Sequence, residues 1–341
     1  MCTISVTILV DFQRAIHGCF YRTPKNWFFM TKTTTTNPGD HSPQERPLWL
    51  QIILVSSIAS IAMISMLPFL GIAKLLGVDM SKLSGVQFQF QPVPVLFFFC
   101  YGATVVLVIA LAQKYLHRHS LKDLGFRPGF LIPIIAGTIF GIAIKAVWLA
   151  MLLLSADEYS FSNIVPKDLS LIRYFLHYVY FLIGFITLNS FIEEFSLRAY
   201  PFENLRKRIH PVILAFASSL VFTVGHFFAN DFSIPYALAL MSAGLLYSCV
   251  YFQTGSIWAI VGVHNGANWF TFTFFGSSWK IGHIYETTIS GPPQWIAEYS
   301  SCIAYLLAIG VAFTLSRLGV ISHFFGITKI ELSSDDSHQA S

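Results

Sequence analysis

The chain has 341 residues, of which 55% are hydrophobic and only 11% charged, with 33 phenylalanines and a formal net charge of +4; its mean hydropathy is +0.63. Soluble globular proteins usually carry about 25% charged residues, so this composition excludes a large soluble core and predicts an all-α, polytopic membrane helical bundle. So small a net charge argues against nucleic-acid binding and fits positive loops at a lipid surface.

Residues 1–48 read as a polar, disordered N-terminal segment. Its opening run MCTISVTILVD stops at Asp11, too short to span a membrane, and residues 31–46 (TKTTTTNPGDHSPQER) are polar throughout. A spanning helix needs roughly 20 apolar residues. About eight transmembrane helices are expected within 49–325, at 49–71, 93–113, 129–154, 171–204, 211–230, 234–252, 256–276 and 298–320. The fourth is long enough for its end to leave the bilayer. Pro211 and Pro235 fit first helical turns, Ser233 is a candidate cap for the sixth helix, and Thr254-Gly255-Ser256 is a tight turn that makes helices six and seven antiparallel neighbours. Residues 326–341 are expected to form a disordered tail. The five cysteines, Cys2, Cys19, Cys100, Cys249 and Cys302, contain no CxxC pair. They suggest neither a disulfide framework nor a zinc ribbon, and read as small buried hydrophobes.

With the N-terminus in the cytoplasm, the loops and termini on that side hold 14 Lys and Arg against 5 on the other, leaving aside Lys145 and Arg198 within helices. This bias predicts both termini in the cytoplasm of a multi-pass protein, with the plasma membrane as the expected location. The basic 2–3 loop KYLHRHSLKD contains His117 and His119. It reads as a solvated loop touching lipid headgroups rather than as a metal site.

Three polar groups interrupt the apolar helices. In NSFIEEFSLRAY, Glu194 and Arg198 stand four residues apart and can pair on one helix face. Glu193, rotated by roughly 100°, points elsewhere. In VFTVGHFFAND, His226 follows Phe222 by four residues. In VGVHNGANWF, His264 and Asn268 share a face, and Gly262, Gly266 and Ala267 would admit a neighbouring backbone. At 1.5 Å per residue, Glu193 lies roughly 20 Å, His226 about 22 Å, and His264 and Asn268 about 12 and 18 Å from the same membrane face. A carboxylate, two imidazoles and an amide are therefore expected at similar depth, and ionisable groups so placed mark functional sites.

A carboxylate without a counterion in an apolar site suits a general base. One histidine can hold a water, while the other and the amide can donate to an oxyanion. Such a set would hydrolyse a peptide bond without a covalent intermediate. Glu193, His226 and His264 could instead hold one zinc ion that activates the water, although no HExxH motif is present. A catalytic serine finds little support, since Ser190 and Ser196 have no fixed His–Asp partners.

At these residues the chain resembles the CPBP family of intramembrane proteases, which includes the type II CAAX prenyl endopeptidases and bacteriocin-processing or self-immunity proteins. The family pattern EExxxR, FxxxH, HxxxN is met in order by Glu193, Glu194 and Arg198, by Phe222 and His226, and by His264 and Asn268. The resemblance is most specific over 170–275 and extends loosely to SLKDLGFRP at 120–128. It implies an eight-helix bundle around an intramembrane cavity. It implies that Glu193 and His226 activate water, that His264 and Asn268 form the oxyanion hole, and that Glu194, Arg198 and Phe222 support them. It leaves open whether the reaction needs no cofactor or uses zinc. Leu197-Arg198-Ala199 departs from the family's frequent Phe-Arg-Gly, which affects packing more than chemistry.

The expected activity is therefore endoproteolysis of a membrane-associated or lipidated peptide, such as a prenylated CAAX protein, with membrane lipid as surroundings. The alternatives are a non-catalytic immunity protein or peptide-binding scaffold using the same cavity, and a proton-coupled transporter using Glu193 and His226 as a relay. Lys145, near mid-membrane in the third helix, is either a contact for a carboxylate or substrate or a snorkelling side chain.

Overall fold

The computed structural model describes residues 46–77, 92–228, 230–276 and 282–325. The expected disordered segments 1–48 and 326–341 thus fall almost wholly outside the described residues, as do Cys2 and Cys19. All eight expected helices form. They are α1 (Leu48–Leu75, with a break at Ser65), α2 (Pro92–Leu111, continued by a π-helical turn Ala112–His117), α3 (Leu131–Ser155), α4 (Leu171–Leu205), α5 (Pro211–His226), α6 (Ile234–Thr254), α7 (Ile257–Phe275) and α8 (Gln294–Arg317). A short α9 (Ile321–Phe324) follows. Among the described residues, six helices are long and apolar enough to cross a membrane; α5 is a shorter apolar helix of 16 residues. The chain is an all-α, multi-pass integral membrane protein. Exposed Leu, Ile and Phe side chains over the outer faces of α1 to α5 fit a lipid surround.

Two strands that the sequence did not suggest, β1 (Glu158–Asn163) and β2 (Tyr285–Ser290), pair antiparallel, with Glu158 opposite Ser290. They tie the α3–α4 connection to the α7–α8 connection. Local signals place several helix ends. Pro211 and Pro235 occupy first turns, Ser233 Oγ accepts from the Tyr236 amide, and Gly255 closes α6 with a left-handed φ of 59°. The 120–128 segment locks onto that turn: Gly125 O accepts from the Ile257 amide at 3.1 Å, and Arg127 Nε donates to Gly255 O at 3.0 Å. A basic, solvated 2–3 loop is only partly observed. His119 is exposed beside Asp123, but His117 Nε2 is 2.9 Å from the hydroxyl of buried Tyr200. Cys249 and Cys302 are buried, whereas Cys100 is half-buried because part of it faces outward from α2.

The tightest helix contact joins α3 to α7. A Cβ placed on Gly137 or Gly141 would collide with backbone at Ala259 and Val263, and one on Gly262 or Gly266 with the carbonyls of Ile134 and Thr138. Facing small-xxx-small pairs let two backbones approach this closely, and dispersion then does what hydrophobicity cannot do between helices in lipid. The pairing order, 137 with 259–263 and 141 with 263–267, makes the two helices parallel. Gly266→Leu is expected to lower stability by about 3 kcal/mol through overpacking. Gly310→Ala, where a Cβ meets nothing within 4 Å, should raise stability by about 0.5–1 kcal/mol. Thermal unfolding of both variants in detergent checks the contrast.

Candidate active site

α4 is not a uniform α-helix. π-helical segments at Tyr180–Thr187 and Phe195–Ala199 bracket the α-helical turn Leu188–Glu194. Within that turn the adjacent glutamates diverge, as a 100° step requires. Arg198 Nη1 donates to Glu194 Oε1 at 3.1 Å, with both side chains fully buried. The guanidinium lies 4.5 Å from the centre of the Phe222 ring and 5.7 Å from that of Tyr247, so its faces are covered by aromatic carbon instead of water. Glu193 remains 16% exposed and turns to Asn189, whose Nδ2 donates to its Oε1 at 2.8 Å. Glu193 Oε2 is buried and has no hydrogen-bond partner among the described residues.

α7 brings His264 to both acids. Nδ1 is 2.9 Å from Glu194 Oε1, and Nε2 is 4.0 Å from Glu193 Oε2. Since a carboxylate only accepts, Nδ1 carries the hydrogen and donates to Glu194. The Tyr247 ring stacks on the imidazole at 4.9 Å and 19°, and Phe222 meets it edge-on at 5.9 Å. Arg198, Phe222, Tyr247 and His264 thus form one packed cluster around the buried Glu194.

His226 occupies the last turn of α5, which ends there and not at 230. Asn230 Nδ2 donates back to His226 O at 2.9 Å, supplying one of the missing partners at the helix end. His226 Nδ1 lies 2.8 Å from Phe222 O, so this nitrogen is the donor and Nε2 keeps its lone pair. The Phe222 ring separates the two histidines, 4.4 Å from His226 and 5.9 Å from His264. Asn268 stands one turn beyond His264 on α7, half-buried, and makes no hydrogen bond among the described residues. Glu193, Glu194, Arg198, Phe222, His226 and His264 are therefore linked by direct contacts, and Asn268 joins them by its place on α7.

Three supporting side chains were not singled out from the sequence. Asn189 was signalled by its four-residue spacing from Glu193. Tyr247 and Thr187 carried no local signal. Asn265, next to His264, donates from Nδ2 to Thr187 Oγ1 at 3.0 Å, and Thr187 donates to Leu182 O at 2.7 Å inside the first π segment. From α5, Ser218 Oγ donates to Leu197 O at 2.7 Å inside the second.

Among the described residues no group of three His, Cys, Asp or Glu side chains is placed to hold a metal ion. Nδ1 of each histidine is committed to a protein oxygen, which leaves Nε2 of both as the nitrogen open to a water, a substrate or a metal.

An integral membrane bundle with acids, imidazoles and an amide gathered on three of its helices has the groups that hydrolysis within a membrane needs. Residues 175–270, which span all three motifs, match the family model described as Rce1-like: type II CAAX prenyl endopeptidase Rce1-like. That stretch of the chain is similar to the type II CAAX prenyl endopeptidases, and the similarity supports a CAAX-type intramembrane endopeptidase in general. No curated protein matches the chain.

Removing Arg198 would strand Glu194 as a buried charge with only His264 beside it. Arg198→Ala is expected to destabilise the protein by about 3–5 kcal/mol, and the paired change Arg198→Met with Glu194→Leu by markedly less. Thermal unfolding of the single and double variants tests this ordering.

Proposed function

We propose that the protein cleaves a peptide bond of a lipidated membrane substrate, with a water activated by Glu193 and His226 and no metal required. The observation that carries this reading is the division of labour between adjacent acids. Glu194 accepts with Oε1 from both Arg198 and His264 and is fully buried, while Glu193 is partly exposed, accepts only from Asn189 and lies 4.0 Å from His264 Nε2; Oε2 of each acid is buried without a hydrogen-bond partner among the described residues. Glu193 takes a proton from the water, whose other hydrogen bonds to the lone pair on His226 Nε2. The resulting hydroxide adds to the carbonyl carbon. His264, with hydrogen on both ring nitrogens, donates from Nδ1 to Glu194 and from Nε2 to the oxyanion. Asn268 Nδ2 is the second donor. The proton held by Glu193 passes to the leaving nitrogen as the C–N bond breaks, giving a carboxylic acid and an amine. The bias of 14 positive residues against 5 supports termini on the cytoplasmic side.

The test is cleavage of a quenched farnesylated CAAX peptide by purified protein, with and without chelator. Glu193→Gln is expected to lower kcat by about 10²–10⁴-fold, and Asn268→Ala by about 10²–10³-fold. Chelator should change neither kcat nor KM. Loss of activity with chelator, restored by zinc, would overturn the metal-free mechanism. Cleavage retained by Glu193→Gln would remove that residue from its role. Tight binding of the peptide by wild type without cleavage would favour the non-catalytic scaffold.

A further inference from the structure

Lys145 is a cation that the mechanism does not use. It lies on α3 within the bundle and is only 9% exposed. Its Nζ donates to Ser301 Oγ at 3.1 Å and stands 4.7 and 4.8 Å from the ring centres of Trp148 and Tyr305. Among the described residues no carboxylate forms an ion pair with it. This is not a snorkelling placement, since Nζ is held by Ser301 Oγ and two rings within the bundle. A hydroxyl and two ring faces soften the charge, but they supply no anion. A buried ammonium is costly without a counter-charge, so the place is suited to an anion that arrives with a ligand.

The packing puts Lys145 on the active-site side. Because Gly141 faces Gly266 in parallel helices, Lys145 stands within about one helical turn of the height of Asn268, ~5.4 Å along the axis. Lys145 Nζ is 4.8 Å from the Tyr305 ring centre, which is 6.5 Å from that of Tyr247, in turn 4.9 Å from that of His264, so the ammonium lies within about 16 Å of the imidazole. Lys145 is also about 15 Å along α3 from the nearer helix end, Ser155. That depth keeps it away from lipid headgroup phosphates.

We propose that Lys145 binds the C-terminal carboxylate of the peptide substrate and so sets where the chain is cut. This rests on the protease reading above and deepens it. In a C-a-a-X end the carboxylate lies three residues beyond the prenylated cysteine, and three extended residues span about 10 Å. A carboxylate held at Lys145 would place the bond after the cysteine near His264 and Asn268. Ser301 orients the ammonium, and the Trp148 and Tyr305 rings line the apolar sides of the path. Lys145 is thereby a specificity-determining residue, distinct from the groups at the scissile bond.

The experiment compares two farnesylated peptides of one sequence, one ending in a free carboxylate and one in an amide. Equilibrium binding is read by fluorescence anisotropy in detergent, in a Glu193→Gln background that slows turnover. The acid is expected to bind about tenfold or more tighter than the amide, the range of a hydrogen bond to a charged group. Adding Lys145→Met should weaken the acid to the level of the amide and leave the amide unchanged, while Lys145→Arg should keep part of the preference. The ratio is internal to each protein, so loss of some folded material does not mimic the effect. Equal binding of acid and amide in the parent, or a ratio that survives Lys145→Met, would overturn the proposal. Cleavage by the protein with native Glu193 is scored separately. Acid preference without cleavage would sink the protease reading and leave the carboxylate site standing, whereas cleavage with a ratio near one would do the reverse.

Discussion

Gly137 and Gly141 on α3 meet Gly262 and Gly266 on α7 with no side chain between the two backbones, and the position of His264 follows from that contact. In lipid, apolar side chains gain little by exchanging hydrocarbon for one another, so helices associate through close packing and buried polar bonds. Removing four side chains from one seam lets α7 sink against α3, with His264 and Asn265 turned toward α4. The Gly125–Ile257 hydrogen bond and the Arg127–Gly255 hydrogen bond pin the start of α7 at one end. The β1–β2 pair ties down the segment after it at the other. α7 is thus held along its length before any of its polar groups finds a partner.

The buried charges then become affordable in a defined way. Glu194 Oε1 accepts from both Arg198 and His264, and Phe222 and Tyr247 cover the guanidinium and the imidazole, while Glu194 Oε2 and Arg198 Nε and Nη2 are buried without a hydrogen-bond partner among the described residues. Breaking such a set leaves an uncompensated charge in hydrocarbon, which is why its members act as a unit and why one wrong substitution costs more than removing the pair. The same set consumes Glu194 and spares Glu193. Two identical residues, adjacent in sequence, acquire different surroundings because a single helical step sends one into the packed cluster and the other toward Asn189, partly exposed and 4.0 Å from His264 Nε2.

Much of this was legible in the sequence, for identifiable reasons. Apolar runs of bilayer length gave the helices, because the bilayer imposes a length on them. The four-residue spacing of Glu194 and Arg198 gave their pairing, because it is a property of one helix alone. What crossed between helices was hidden. The glycines of α3 have no signature until their partners on α7 are known. The bond between Glu194 and His264 joins residues 70 apart in the chain. The early end of α5 at His226 is capped by Asn230 from beyond the helix, so an apolar count that ran on through Phe227 and Phe228 overshot it. Lys145 was visible as an anomaly, but its neighbours Ser301 and Tyr305 come from a helix about 150 residues later.

The π-helical segments of α4 bring the two histidine-bearing helices to a common frame. A π turn widens the helix and loosens its hydrogen-bond ladder, so that its carbonyls can accept from other groups. In the first segment Leu182 O accepts from Thr187, which in turn accepts from Asn265, the neighbour of His264 on α7. In the second, Leu197 O accepts from Ser218 on α5, two turns before His226. Each histidine helix is therefore docked by a polar bond to an irregular stretch of α4, on either side of the turn that carries Glu193 and Glu194. A regular helix through 180–199 would present Thr187 and Leu197 at other angles around α4, away from Asn265 and Ser218. The irregularity of α4 is in this sense what converts three adjacent helices into one site.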